Sequence, residues 1–333
     1  MTLSDVASAL RLSKGTVSMA LKGNPLVAEH TRRAVSAKAE ELGYVYNRGA
    51  ASLSTGVTGL VGLAVHNLTN PYFTRVCAAI EDELERHGQI ALLCNLDESR
   101  EKQTRFIKAL NEQNADGLII CPAAGTTPEE LPTRLSNGSP VVLFARDIEG
   151  EDFDYVGNDD EAAMRLATRH IIEKGHRRIA FVGAGVQTSV ARDRRTGFLG
   201  EMERAELSID PALMIESSIY PEGGEFAVEK LMAVADRPTA IICFTDYIAM
   251  GVVSKLHELG VIPGRDIAVI GCDGISEGAR AYVSLSTISV QKRLLGATAA
   301  TLLHRRLETP DAPPRRLSTP PIPIFRTSSR AAR

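Results

Sequence analysis

Seven histidines and five cysteines in a 333-residue chain are the first place to look for metal, thiol or acid–base chemistry. Their spacing does not support it. Cys77, Cys94, Cys121, Cys243 and Cys272 lie far apart, with no Cys-x-x-Cys pair, and read as reduced thiols of a cytosolic protein. There is no His-Glu-x-x-His, and His170 and His176 flank a helix end as structural residues do. The stretch "VGAGVQTS" (182–189) offers a Gly-x-Gly. It lacks the third glycine of a dinucleotide-binding loop and has no acid after a following strand. No nucleophile stands near a base. A nucleotide-dependent α/β enzyme is therefore the weaker reading, and neither cofactor nor metal is predicted.

The stronger candidates are polar residues that directly follow apolar runs. These runs are "GLVGLAV" (59–65), "QIALLCN" (89–95), "ADGLIIC" (115–121), "PVVLFA" (140–145), "RIAFVG" (178–183), "TAIICFT" (239–245) and "DIAVIGC" (266–272). Amphipathic stretches such as "PYFTRVCAAIEDELERHG" separate them. Near-continuous apolar strands alternating with helices predict parallel sheets buried on both faces, and so many strands predict two doubly wound lobes. In such sheets ligands bind beyond the carboxyl ends of the strands. That rule nominates His66 and Asn67, Arg146, Thr188, Thr245 with Asp246, and Asp273. Asp246 and Asp273 could instead cap helices, and Arg146 or Arg192 could form surface ion pairs between lobes.

Charge is unevenly placed. The chain carries −3 overall, yet residues 1–55 sum to +3 and the remainder to −6. A small basic head on an acidic body fits a polyanion-binding module. With 44% hydrophobic and 24% charged residues, no apolar run long enough for a membrane span and no signal-peptide pattern, a cytoplasmic globular protein of two or three domains is expected.

The head reads as three helices. Leu3, Val6, Ala7 and Leu10 recur at helical spacing behind Ser4 and Asp5. Ser13 can cap a second helix in which Val17 and Leu21 face inward while Lys14, Gly15, Thr16, Ser18 and Met19 face out. A third starts near Glu29, carries Ala34, Val35, Ala39 and Leu42 on its apolar face, and ends at Gly43. Two short helices joined tightly and braced by a third make a helix-turn-helix, whose second helix can enter a major groove. The alternative is an ordinary three-helix cap.

"LSDVASALRLSKGTVSMALKGNPLVAEHTRRAVSAKAEELGYVYNRGAASL" resembles the head of the LacI/GalR family of bacterial repressors. Its Asp-Val-Ala, Thr-Val-Ser, Thr-Arg-x-x-Val and Leu-Gly-Tyr-x-x-Asn elements stand in order. "HIIEKGHRRIAFVG", "RRTGF", "AMG", "IGCDG" and "LSTISV" fall where the family has related segments. The resemblance thus spans nearly the whole chain. It implies a homodimer on near-palindromic operator DNA, with affinity set by a small-molecule effector, commonly a sugar, through lobe closure. A plain ligand-binding protein is the alternative from the body alone.

The family carries glycine in the turn where this chain has Arg11, and a non-glycine there costs on the order of 1 kcal/mol. The family often has arginine at the position of Met19, so the operator should differ from the commonest sites. Met19 and the end of "LFAR" resemble the maltose-regulon repressor branch. Lys14 is the candidate for a base contact, and Thr16 and Ser18 for phosphate contacts or plain surface hydroxyls. Asn47 to Leu53 resembles the hinge helix, implying contacts from Asn47 and Arg48 and a minor-groove wedge at Leu53. Without the head, the same stretch reads as a linker. In the body the resemblance implies effector contacts from Asp273, Arg194 and Thr245. Tyr72 and Phe73 suit either a lid or a helix start packed on the core. Where familiar members have an aromatic platform, this chain has Ile219 followed by Tyr220. The expected domains are residues 1–46, a hinge and linker 47–58, a two-lobed effector and dimerisation domain 59–326, and a disordered tail 327–333. With no heptad run near the C-terminus, no coiled-coil tetramer is predicted.

Overall fold

The computed structural model describes residues 1–21, 23–45, 56–148, 150, 152–183, 187–280 and 284–330. They form two compact units, Met1–Thr58 and Gly59–Arg333.

The head is three helices, α1 (Leu3–Leu10), α2 (Lys14–Leu21) and α3 (Glu29–Glu41). Val6, Val17, Val35 and Ala39 meet at its centre. The Asp5 carboxylate accepts the Thr2 backbone N–H at 2.7 Å and starts α1. Arg11 ends α1 at φ 54°, ψ 37°, the left-handed conformation that glycine adopts without cost. Ser13 caps α2 by accepting the Thr16 N–H at 3.0 Å. Gly43, at φ 63°, closes α3, where the Tyr44 N–H reaches the Ala39 carbonyl at 2.8 Å. Ala34 is exposed, not inward as expected. The packed face of α3 runs through Val35, Ala39 and Leu42, which turns position 34 away from the core.

The body contains two six-stranded sheets. All seven apolar runs form strands: β1 (Leu60–Val65), β2 (Ile90–Asn95), β3 (Gly117–Ile120), β4 (Val141–Phe144), β6 (Ile179–Val182), β8 (Ala240–Cys243) and β9 (Ala268–Asp273). Five strands were not anticipated as such or only in part: β5 (Asp154–Asn158), β7 (Met214–Ile215), β10 (Ser286–Ser289), β11 (Arg316–Thr319) and β12 (Ile322–Ile324). The last lies within "PIPIF", which composition alone marks as strand-like. The first sheet has the order β11-β5-β4-β3-β1-β2 and the second β12-β10-β9-β8-β6-β7. All pairings are parallel except β10 with β12, with registers such as Val61 opposite Ala91 and Ile241 opposite Val269.

Helices α4 (Pro71–Arg86) and α5 (Arg100–Glu112) belong to the first lobe, with α11 (Lys292–Glu308) returning to pack on α4. Helices α6 (Asp160–Glu173), α7 (Ser189–Arg204), α8 (Pro221–Ala233), α9 (Asp246–Glu258) and the short α10 (Ser276–Arg280) belong to the second. The chain crosses between lobes three times, near residues 159, 290 and 320, so the lobes share a hinge and face each other across a cleft.

Two expectations are corrected. Burial on both faces fails for the edge strand β2, where Ile90, Leu92 and Leu93 are 56%, 39% and 46% exposed. The tail beyond Arg326 is ordered through Arg330: Ser328 donates to the Val269 carbonyl at 2.7 Å, and Ser329 lies 2.8 Å from His170 Nε2. His176 reaches the Arg330 carbonyl at 3.1 Å. A polar segment with its hydroxyls paired in this way can be buried, which composition does not reveal.

Candidate functional site

The strand ends of both lobes converge on a cavity of about 530 Å³, mouth included. This is within the range of small-molecule sites. It lies beside the places where strand order reverses, between β1 and β3 in one lobe and β6 and β8 in the other.

In the second lobe the site is built around Asp273 and Arg194. Asp273 ends β9 at φ 126°, a strained backbone for a residue with a side chain, and Gly274 follows at φ 67°. A Cβ at Gly274 would stand 2.5 Å from Ser289 Oγ, so only glycine lets the chain turn there. Arg194, on α7, is fully enclosed. Its Nε meets Asp160 at 2.7 Å, one Nη donates to the Phe244 carbonyl, and the other meets Asp273 at 3.1 Å. The guanidinium also lies over the Phe244 ring at 4.9 Å. Arg194 is thus shared by two carboxylates and favours the nearer, Asp160. Burial pushes the Asp273 carboxyl up to about 7 despite Arg194.

In the first lobe Arg146 is equally engaged. It donates to both oxygens of Glu98 at 2.8 and 2.7 Å and to the Pro122 carbonyl at 3.0 Å. Burial alone would raise Glu98, but the Arg146 hydrogen bonds and charge outweigh it and bring the carboxyl down to about 2. His66 stands edge-on to Phe73 at 4.3 Å. Burial and then the Arg146 charge lower it to about 3, so it is a neutral imidazole. The ion pair lies within one lobe and does not bridge the two.

Of the nominated residues, Tyr72, Phe73, Arg146, Arg194, Thr245 and Asp273 line the cavity together with His66 and Thr188. Tyr72 and Phe73 do so from the buried start of α4, where Asn70 caps the helix by accepting the Tyr72 N–H at 2.9 Å. They are a wall, not a lid. Thr245 also caps α9, accepting the Ile248 N–H at 3.2 Å. Two nominations are corrected. Asp246 is fully buried beneath the cleft and holds the next loop by accepting the Ile275 N–H at 2.9 Å. Gly271 leaves it room, since a Cβ there would sit 2.2 Å from Asp246 Oδ1. Tyr220 is at the cleft margin, where its hydroxyl reaches Asp97 of the other lobe at 3.2 Å, and Ile219 lines the cavity in its place.

Three participants escaped the sequence reading. Glu98 follows β2, and carrying the strand-end rule to "QIALLCN" would have reached it. Asn158, which donates to the Tyr72 hydroxyl at 3.1 Å, ends the unrecognised β5. Asp160 starts α6, and its bond to Arg194 joins elements 34 residues apart, for which no local signal exists.

On the head, Lys14, Gly15 and Met19 are exposed along α2, and Thr16, Ser18 and Ser4 are half-buried beside them. The positions Asn47, Arg48 and Leu53 lie outside the described residues. Among the described residues no helix is long and apolar enough to cross a membrane.

A helical head joined to a two-lobed, ligand-sized cleft defines an effector-controlled regulator, and the comparisons agree. Residues 2–47 match the bacterial regulatory proteins of the lacI family, and 168–329 match a periplasmic binding protein-like domain. The HTH-type transcriptional repressor PurR of Aliivibrio salmonicida is 30% identical over 92% of each chain, and that of Photobacterium profundum is 32% identical over 92% of each. Among solved structures, the transcriptional regulator CelR–cellobiose complex has a TM-score of 0.74 at 26% identity, covering 98% of this chain and 99% of that one. A LacI family regulator from Enterococcus faecium with bound ribose has 0.73 at 26%, covering 82% and 100%. The lac repressor dimer bound to operator and the anti-inducer ONPF has the same fold, at 0.84 and 24%, over 99% of each chain. The chain belongs to the LacI family. It is a DNA-binding transcription regulator controlled by a small-molecule effector.

Proposed function

We propose that the cleft takes an uncharged, polyhydroxylated effector, a sugar or sugar derivative. The carrying observation is that both buried guanidinium groups are already neutralised, Arg146 by Glu98 and Arg194 by Asp160 and Asp273. With His66 neutral, the three carboxylates paired to these two guanidinium groups leave no spare positive charge for a phosphate or carboxylate. Asp273, Thr188, Asn158 and the Tyr72 hydroxyl offer hydrogen bonds to ligand hydroxyls, while Phe73, Phe244 and Ile219 offer apolar faces to ligand C–H groups. The cellobiose and ribose carried by the two similar proteins support this class.

The same reading makes the chain a cytoplasmic repressor without enzymatic activity. It binds a near-palindromic operator as a homodimer, with Lys14 at a base edge, Thr16 and Ser18 at phosphates, Ser4, Gly15 and Met19 at the groove, and Asn47, Arg48 and Leu53 in the hinge. The exposed apolar residues of β2 support self-association. Membership of the maltose-regulon branch rests on Met19 and "LFAR" alone, and the relatives named above carry the name PurR.

A thermal-melt screen of sugars, polyols, sugar phosphates and purines on wild type and Asp273→Ala tests the effector class. Neutral sugars or polyols should raise the melting temperature of wild type only. A rise confined to sugar phosphates or purines would overturn the reading.

A further inference from the structure

A second cavity, of about 1080 Å³ with its mouth, adjoins the crossing between β10 and α11 and is separate from the effector cleft. The start of α4, the loop after β9 and the start of α11 form its walls. Four cations line it, Arg75, Lys292, Arg293 and Arg326, against one acid, Glu277. None of the four has a carboxylate within ion-pair distance among the described residues. That is unusual in this body, which sums to −6 and pairs its other enclosed guanidinium groups, as Arg146 with Glu98, Arg194 with Asp160 and Arg306 with Asp154. Lys292 donates only to main-chain carbonyls, those of Asp273, of Gly274 at 2.9 Å and of Val290 at 3.4 Å. Arg326 donates to the Leu285 carbonyl and, among the described residues, ion-pairs with none.

The helix that opens here adds to the imbalance. α11 has no acid in its first turn, no side-chain cap from Gln291, and cations at its first two positions. The positive end of the helix dipole and four side-chain charges therefore converge with one sign. Held alone, that arrangement is unfavourable, and a multivalent anion with several acceptor oxygens relieves it.

We propose that this cavity binds a phosphate group, either the free ion or a phosphate monoester of a small metabolite. Arg75 and Arg293 grip the phosphate oxygens, Arg326 adds charge, and Ile275 and Leu294 provide an apolar wall for an organic portion. The space exceeds what a bare phosphate fills. The site is tied to the effector cleft by one segment: Lys292 holds the main chain of Asp273 and Gly274, while the Asp273 side chain faces the cleft. An anion on Lys292 and its neighbours is therefore positioned to bias the cleft. The binding itself does not depend on which molecule fills that cleft.

Titration calorimetry on the full-length protein, at constant ionic strength with sodium chloride as reference, tests the proposal. The ligands are inorganic phosphate and glucose 6-phosphate, and the proteins are wild type, Arg75→Ala, Arg293→Ala and Lys108→Ala. Arg75 and Arg293 are exposed, so their truncation spares the core, and Lys108→Ala removes the same charge from a distant exposed site. Saturable phosphate binding should weaken about tenfold or more in each arginine variant and stay unchanged in Lys108→Ala. Tighter binding of glucose 6-phosphate assigns the site to a monoester, and equal or weaker binding assigns it to the free ion. No saturable heat beyond chloride, or arginine variants that bind like wild type, would overturn it.

Discussion

Replacing Glu98 by glutamine keeps the shape of the side chain and one acceptor but removes the charge that neutralises Arg146. Glu98 titrates near 2 where an ordinary glutamate titrates near 4.5, because the hydrogen bonds and charge of Arg146 overcome its burial. Its side chain is 28% exposed. A difference of that size is worth about 3 kcal/mol at neutral pH, and solvent screening brings this to about 2–3 kcal/mol. Breaking a buried ion pair costs a similar amount. The sign follows from the lowered titration: the stabilisation is complete above the unfolded value of 4.5 and is lost as pH falls through 2. Urea unfolding of wild type and Glu98→Gln should therefore differ by about 2–3 kcal/mol at pH 7, and by half that or less at pH 3. The variant also frees a buried guanidinium in the cleft, so a sugar phosphate that the wild-type cleft excludes should enter the cleft of Glu98→Gln. A stability gap that stays constant with pH, or one below about 1 kcal/mol at pH 7, would refute the claim that Glu98 holds Arg146.

Asp273 carries the opposite slope. Burial raises its carboxyl to about 7, so the folded chain holds that proton more tightly than the unfolded one, and stability falls as pH rises from about 4 to 7. Asp273→Asn should remove up to about 4 kcal/mol of that dependence, and melting curves of the two proteins that run parallel from pH 5 to 8 would contradict it. Arg11→Gly should relieve the left-handed backbone at the end of α1 and stabilise the head by about 0.5–1 kcal/mol. Slower hydrogen exchange at the buried Val17 and Val35 amides of the full chain is the readout, and unchanged exchange would argue against strain. Lys14→Ala, if Lys14 meets a base edge, should weaken operator binding by about 1–3 kcal/mol and relax selectivity at one position. Fluorescence anisotropy against single-base operator variants measures both, and a uniform loss across all of them would reassign Lys14 to the phosphate backbone.

Helix and strand periodicity belongs to neighbouring residues, and what depends on it could be read directly. The three-helix head and the seven apolar strands follow from patterns within about a dozen positions, and the strand-end rule points to the edge that lines the cavity. The cap at Ser13 and the left-handed turn at Arg11 are equally local. Short polar strands escaped, since "DYVGN" at β5 has neither the length nor the apolar run of its neighbours and pairs only because β4 and β11 flank it. The exposure of β2 depends on its place at the sheet edge, and the order of the tail depends on hydroxyl partners in β9, β10 and α6. The decisive feature of the cleft was hidden for the same reason. Arg146 and Arg194 look in the sequence like cations waiting for a ligand. Glu98 lies 48 residues from the first, and Asp160 and Asp273 lie 34 and 79 residues from the second. Folding brings them within hydrogen-bond reach because a buried guanidinium left unpaired is too costly to keep. Residue type and spacing therefore located the pocket, but only the packing of distant segments set its charge, and with it the chemistry of what can enter.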